Sequence, residues 1–540
     1  MPRSASTALC AALLLSGAPA AAQSAGGAGW KRGAVCYEVF VRSFYDSDSD
    51  GIGDLKGLTQ KLDYLNDGNP RSRRDLGVRC IWLMPIDASP SYHGYDVTNY
   101  YRVNPAYGTN GDFKRLVAAA HTRGMKVLVD LELNHTSSEH PYFKEALRDT
   151  ASPHRDWFRF SATKPKVTGP WGQEVWHRSP VRDEYYYGLF TAQMPDLNYE
   201  NPAVVQEAKN IARFWLEDMG ADGFRLDAVP YLVESGDSLA HTARTHAVLR
   251  DWAAYVRRIA PNAYTVGEVW DSIGAQLPYY PDQLDAYFSF EVSDAILEAV
   301  RTGVAGKLLA PVLRLQRALP ADRWSPFLRN HDETRTLTAL GGSVARAKMA
   351  AVLLLTLPGL PFVYYGEEIG MMGDKPDERL RTPMQWTPRR GAGFTDGFVW
   401  EPLHSDSLTA NVQVQQNDPG SMLNLYRRLI HLRATNSALG SGTLIPVNAS
   451  NGAVAAYLRR EGNRAVLVIT NLGAVPVSSV SLASPAGSLT AGTYRPTELL
   501  GGPRAAELRV GADGRLTRYV PLLTLTPMTS YLLELRATSR

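Results

Sequence analysis

Eight short apolar runs, separated by stretches of a different periodicity, constrain this chain more than any other feature. They are AVCYEVFVRSF (34–44), VRCIWLMPI (78–86), KVLVDLELNH (126–135), GFRLDAV (223–229), AYTVGEVW (263–270), DAYFSFEV (285–292), PFLRNHD (326–332) and LPFVYYGEEIG (360–370). Runs of this length, rich in β-branched and aromatic residues, read as strands covered on both faces. Amphipathic helices lie between them, such as DFKRLVAAAHTRG (112–124) and the segment from Asn201–Pro202 to Gly220. In the second, asparagine caps the start, proline sits in the first turn and glycine follows the end. Eight strand–helix units predict an α/β fold in which a parallel (β/α)8 barrel is assembled from 30–134 and 201–439.

Two segments break the repeat. Residues 135–200 are rich in Trp, Tyr, His and Pro, too long for a plain connection, and are expected to form an inserted domain after the third strand. After the helical run SMLNLYRRLIHLRATNSAL (421–439), the short β-type runs of 440–540 predict an antiparallel β-sandwich domain. The first residues, 1–22, combine Arg3, an apolar segment and a small-residue APAAAQ site, the pattern of an export signal. A periplasmic or extracellular location is therefore expected. Cys10 falls within that signal, leaving Cys36 and Cys80, whose apolar surroundings predict buried free thiols rather than a disulfide. No later stretch is apolar for the ~20 residues a membrane helix requires. A net charge of +3 without a Lys/Arg run excludes a dedicated nucleic-acid surface, and a monomer is expected.

The ends of the strands carry the chemistry. In a parallel barrel, residues at the carboxyl ends of the strands face the active site. Here those ends supply Asn134–His135, Arg225 and Asp227, Glu268, and His331–Asp332. Arg225 and Asp227 share one face of GFRLDAV, because strand side chains alternate. A cation that close is expected to lower the Asp227 pKa, whereas the apolar run before Glu268 is expected to raise that of Glu268. One ionised and one protonated carboxyl is the arrangement that hydrolyses a glycosidic bond with retention of configuration.

The stretches DLELNH (130–135), GFRLDAV (223–229), GEVW (267–270) and FLRNHD (327–332), in that order, resemble the four motifs of the α-amylase family, glycoside hydrolase family 13. The resemblance covers nearly all of the chain after the signal. It implies that Asp227 is the nucleophile, Glu268 the general acid/base and Asp332 a third carboxylate that holds sugar hydroxyls. It further implies that Arg225 orients Asp227 and that His135 and His331 bind the first-subsite sugar. MPDLN (194–198) and RTPMQW (381–386) resemble a subgroup intermediate between oligo-1,6-glucosidases and neopullulanases, with Arg381 near the first subsite. In SYHGYD (91–96), Tyr95 would stack on the first glucose and His93 help bind it. Tyr92 stands where exo-acting relatives carry an aspartate, and Ala228 where α-1,6-specific ones carry valine. Both imply an α-amylase acting on α-1,4-glucans, ahead of an exo-acting α-glucosidase or a transglucosylating relative such as trehalose synthase. A non-catalytic, transporter-associated homologue is disfavoured because all three carboxylates are present. Glu132 departs from the resemblance, since the family has an apolar or small residue there; it is expected to pair inside the barrel.

DSDSDGIGDLKG (46–57) places oxygen ligands at alternate positions and then glycine for a sharp turn, as a calcium loop does. Asp46, Asp48, Asp50, the Ile52 carbonyl and Asp54 are the expected ligands of one Ca2+ ion. The resembling subgroup binds calcium in this loop. The wider family often binds a second ion with the equivalents of Asn134, Asp196 and the Tyr231 carbonyl.

Overall fold

The structure is a computed structural model that describes residues 28–537; the signal expected at 1–22 lies outside the described residues. Eight parallel strands form the barrel: β1 (Cys36–Val39), β2 (Cys80–Leu83), β3 (Lys126–Leu131), β4 (Gly223–Leu226), β5 (Tyr264–Gly267), β6 (Ala286–Phe288), β7 (Trp324–Ser325) and β8 (Phe362–Tyr364). The pairing runs β7-β6-β5-β4-β3-β2-β1-β8. The ring is closed by Leu360 N–H donating to Trp324 O at 3.2 Å and Phe362 N–H to Pro326 O at 2.9 Å. β7 therefore precedes the PFLRNHD run rather than lying in it. Pro326 has no N–H to continue a ladder, and the residues after it leave the sheet as the loop that carries Asp332.

Helices cover the outside of the strands. α1 (Asn110–Thr122) starts at a capping box in which Thr109 and Asp112 each accept the other's backbone N–H. α2 (Pro202–Arg213) starts at Asn201, whose side chain accepts from Ala203 N–H, with proline in the first turn. Between β3 and α2 the inserted segment contains the helix Pro141–Arg148 and a small antiparallel sheet of Phe160–Ser161, Trp176–Arg178 and Tyr185–Tyr187.

Strand alternation sets what fills the barrel. Cys36, Cys80, Leu128, Val266, Ala286 and Phe362 belong to one apolar cluster with Trp82 and Phe288. One step further along the same inward faces the chemistry changes, to Glu38 on β1, Asp130 on β3 and Arg225 on β4, all buried. Asp130 and Arg225 are register partners across β3 and β4.

Cys36 and Cys80 are likewise register partners on adjacent parallel strands and are joined as a disulfide, with Cα atoms 4.5 Å apart. This corrects the expectation of free thiols. Two inward residues at matched register on neighbouring strands stand at bonding separation, a fact that apolar surroundings do not reveal.

After α3 (Met422–Thr435) the chain enters the C-terminal domain, a six-stranded antiparallel sheet from Thr443 to Ala537. The sheet is apolar on both faces. Tyr457, Val466 and Val468 belong to the cluster that includes the barrel's outer shell, whereas Leu458, Leu467 and Ile469 belong to the domain's own core. That second core is covered by loops and two two-stranded ribbons, Asn448–Ala449 with Leu482–Ala483 and Val477–Ser478 with Thr524–Leu525. The second layer over that core is thus made of short ribbons. Among the described residues no helix is long and apolar enough to cross a membrane.

Candidate active site

Arg225 organises the barrel mouth. Its side chain is fully buried, and Nη1 donates to Asp130 Oδ1 at 2.8 Å and Asp227 Oδ1 at 2.7 Å, while Nη2 lies 2.8 Å from Glu268 Oε2. Asp227 and Glu268, from adjacent strand ends, therefore meet the two nitrogens of one guanidinium. Asp130 is fixed in turn by the Trp82 indole N–H at 3.1 Å. A buried cation is stable only when its charge is compensated, and here three carboxyls share that role.

Burial raises both catalytic candidates. Asp227 is pushed up to about 6 by desolvation and by the nearby Asp130 and Asp332 charges, with Arg225 opposing. Glu268 is pushed up to about 7 by desolvation, then by Asp227 and Asp332, again with Arg225 opposing. The expectation that Arg225 would depress Asp227 below its ordinary value is corrected, because burial outweighs the cation. The order survives: Glu268 holds its proton to higher pH than Asp227. The next residue, Ala228, is left-handed at φ 48°, a conformation rare outside glycine, and its N–H donates to Glu268 Oε2 at 3.3 Å.

Asp332 is ionised by a different set. Burial would raise it, but His331, Arg381 and Arg225 overcome this and hold it far below the carboxylate range. Arg381 Nη2 donates to Asp332 Oδ1 at 2.9 Å, and its Nε–H donates to the His331 carbonyl at 3.1 Å. His331 Nε2 lies 3.1 Å from Asp332 Oδ2 and 2.5 Å from the Tyr95 hydroxyl. The rings of Tyr95 and His331 stack, with centroids 5.5 Å apart.

His93 Nδ1 accepts from Tyr95 N–H at 3.1 Å, which places its proton on Nε2. His135 is driven down to about 4 by burial and is neutral; its ring nitrogens lie 3.1 Å from the Tyr95 carbonyl and from Asn134 Oδ1. A cavity of about 320 Å³ is lined by Tyr92, His93, Tyr95, His135, Asp227, Asp332 and Arg381, with Phe190, Thr191 and Met194 from the inserted segment and Asp377. All nine catalytic and substrate-binding residues expected from the sequence thus converge here: on this cavity, on Arg225 or, for His331, on Asp332 and Tyr95 behind it. Reading strand ends alone missed Asp130, Glu38 and Asp377. A charged residue within an apolar strand, as in CYEV and VLVDL, was the available signal for the first two.

Glu132 does not pair as expected. It is fully buried, neither carboxyl oxygen has a hydrogen-bond partner, and burial with the neighbouring Asp130 and Asp87 carboxyls holds it well above the usual range.

In the 46–57 loop, ligand oxygens of Asp46, Asp48 and Asp50 lie within 4.8 Å of one another. Asp46 accepts backbone N–H groups of Asp48, Ser49 and Gly51 and the Thr395 hydroxyl, which fixes the turn. Asp48 is raised by desolvation and by the charges of Asp50, Asp54 and Asp46, a crowding that a cation would relieve. Ile52 continues the turn with its N–H on Asp50 Oδ1. Asp54 caps the helix Leu55–Gln60 through Gly57 N–H and accepts from the Ser47 N–H and hydroxyl, which ties the end of the loop to its start. Of the second set, Asn134 Nδ2 donates to the Tyr231 carbonyl at 2.6 Å, and Asp196 is bridged to the neighbouring His135 backbone.

A closed parallel barrel whose mouth holds two raised carboxyls on one arginine, with a third ionised carboxylate beside them, defines a glycoside-hydrolase class of enzyme. Comparison with known proteins narrows this. The model of the α-amylase catalytic domain matches residues 38–442. Alpha-amylase 3 of Dictyoglomus thermophilum is 38% identical over 451 residues, covering 83% of this chain and 86% of that protein. Trehalose synthase/amylase TreS of Mycolicibacterium smegmatis is 34% identical over 513 residues, covering 83% and 85%. The crystal structure of the α-amylase from H. orenii superposes with a TM-score of 0.80 at 38% identity, over 94% of this chain and all of that one. The chain belongs to the α-amylase family and is a glycoside hydrolase.

Proposed function

We propose that this enzyme hydrolyses α-1,4-glucosidic bonds in starch-type glucans with retention. The observation that carries the reading is the shared Arg225, which holds Asp227 and Glu268 at adjacent strand ends with Glu268 the harder to ionise. In the first step, Asp227 attacks the anomeric carbon as Glu268 gives its proton to the departing glycosidic oxygen, leaving a glucosyl ester on Asp227. In the second, Glu268 takes a proton from water, which attacks the same carbon and frees Asp227. Asp332, kept ionised by His331 and Arg381, stabilises the positive charge that develops on the ring in the transition state of each step. His93, Tyr95 and His135 surround the sugar.

A glucosyl-transferring or isomerising activity is the second reading. It is favoured by the similarity to trehalose synthases and requires only that an acceptor hydroxyl replace water in the second step. A product time course on starch and maltotriose separates the two. Early viscosity loss with mixed oligosaccharides supports internal α-1,4 hydrolysis, glucose alone supports exo action, and trehalose supports isomerisation. We further propose that Asp46, Asp48 and Asp50 hold one structural calcium ion and that the enzyme is exported.

A further inference from the structure

Behind the barrel mouth lies a chain of contacts in which one member has no role in the reaction as described. Glu38 sits on β1, 2% exposed, with register partners Trp82 and Tyr364 on either side. Its Oε1 lies 2.6 Å from His331 Nδ1. The far side of the same ring meets Asp332 at 3.1 Å and Tyr95 at 2.5 Å. An imidazole whose two nitrogens both face carboxylates must be doubly protonated to donate to each.

We infer that Glu38 is a positioning residue for the reaction: its carboxylate fixes the orientation and double protonation of His331, and through that ring keeps Asp332 ionised beside the reacting sugar. The inference rests on the hydrolytic reading of the site, but its central claim is a property of the unliganded protein. The geometry is that of a carboxylate orienting a histidine whose other nitrogen does the work.

The groups facing His331 come from several elements. Glu38 on β1 and Asp332 on its own loop favour the charged ring, and Asp130 on β3 adds to them. Asp227 and Glu268 at the ends of β4 and β5 also feel the ring's charge. Burial raises the Glu38 carboxyl, and the charges of His331 and Arg225 act against that; Arg225 on β4 also favours ionised Asp332, and Arg381 binds both the His331 carbonyl and Asp332. Trp82 and Tyr95 enclose the ring edge-on and face-on. Burial would push His331 down; Asp332 and Glu38 reverse this and carry it up to about 9.

The test is the titration of His331 followed by NMR in unliganded protein with labelled histidine, the signal assigned by its loss in His331→Asn. The wild-type midpoint is expected well above 6.5, and Glu38→Gln, which keeps the shape and removes the charge, is expected to lower it by about one unit or more. On whichever α-glucoside the enzyme turns over, Glu38→Gln is expected to lower kcat roughly tenfold with KM little changed. The double variant with His331→Asn is expected to be no slower than His331→Asn alone. A wild-type midpoint at or below 6.5 overturns the inference without any variant. So does an unchanged midpoint in Glu38→Gln, or kinetic losses that simply add. A high midpoint that falls in Glu38→Gln, in a protein without hydrolytic activity, would instead remove the proposed function and leave the Glu38–His331 coupling standing.

Discussion

Asp227 and Glu268 begin as ordinary carboxylic acids and are made unequal by what surrounds them. Both are desolvated and both touch Arg225, yet Glu268 is carried to about 7 and Asp227 to about 6. Hydrolysis requires Asp227 ionised and Glu268 protonated. Activity should therefore rise as pH passes about 6 and fall as it passes about 7, giving a narrow bell in kcat/KM on maltodextrins. A flat profile from pH 5 to 9 would contradict the assignment. Glu268→Gln should lower kcat on starch by roughly 10²–10⁴-fold, with a smaller loss on an aryl glucoside whose leaving group needs no proton. The residue roles were legible because GFRLDAV places Arg225 and Asp227 on one strand face. The direction of the Asp227 shift was not. Sequence spacing reveals a neighbouring charge, but the depth at which both partners lie is a property of the closed barrel.

Single elements fix two further features of the molecule. The Cys36–Cys80 bond ties β1 to β2 across 44 positions of sequence, and loop-closure entropy for such a span is worth about 4 kcal/mol. The double variant Cys36→Ala/Cys80→Ala should melt several degrees below the wild type, and reductant should lower the wild-type Tm while leaving the variant unchanged. Equal melting curves would mean that the bond contributes nothing. The 46–57 loop is separable from this. If it holds calcium, chelation should lower Tm in a way that depends on free calcium, by up to about 2.7 kcal/mol of stability when the ion is present at a hundred times its Kd. Asp48→Ala should abolish that dependence at little other cost, since Asp48 is exposed, whereas Asp46→Ala should cost more because Asp46 also satisfies three backbone N–H groups. A Tm indifferent to chelator would remove the ion. Asp54 adds a second duty to the one its spacing suggests: an aspartate just before LKGLTQ is also a helix cap, and that cap forms. At β7, PFLRNHD looked like the strand because it ends in the motif residues, but Pro326 has no N–H to donate and the strand is the two residues before it.

On the scale of the whole molecule, the inserted segment and the barrel meet in a line of rings leading away from the cavity. Phe190 packs edge-on against His135 at 5.3 Å and carries Trp171 stacked on it at 5.7 Å, while Tyr231, four residues beyond Asp227, contacts both. Trp171 is 62% exposed, so most of its ring is open to solvent. An exposed indole held flat by aromatic neighbours offers a sugar an apolar face at little entropic cost. Its place beyond the cavity suits glucose units further along a chain rather than the unit being cleaved. Trp171→Ala should therefore raise KM for long maltodextrins several-fold, corresponding to about 0.5–1.5 kcal/mol of ring contact. Maltotriose, too short to span the cavity and this platform, should keep its wild-type KM and kcat, and the long-chain products should shift in size. Steady-state kinetics across a ladder of chain lengths reads this directly. A penalty equal at every length would place Trp171 in the packing of the inserted domain instead, and the next ring to test would be Trp270, two residues beyond Glu268, which is exposed and stacked on Phe290 at 4.8 Å.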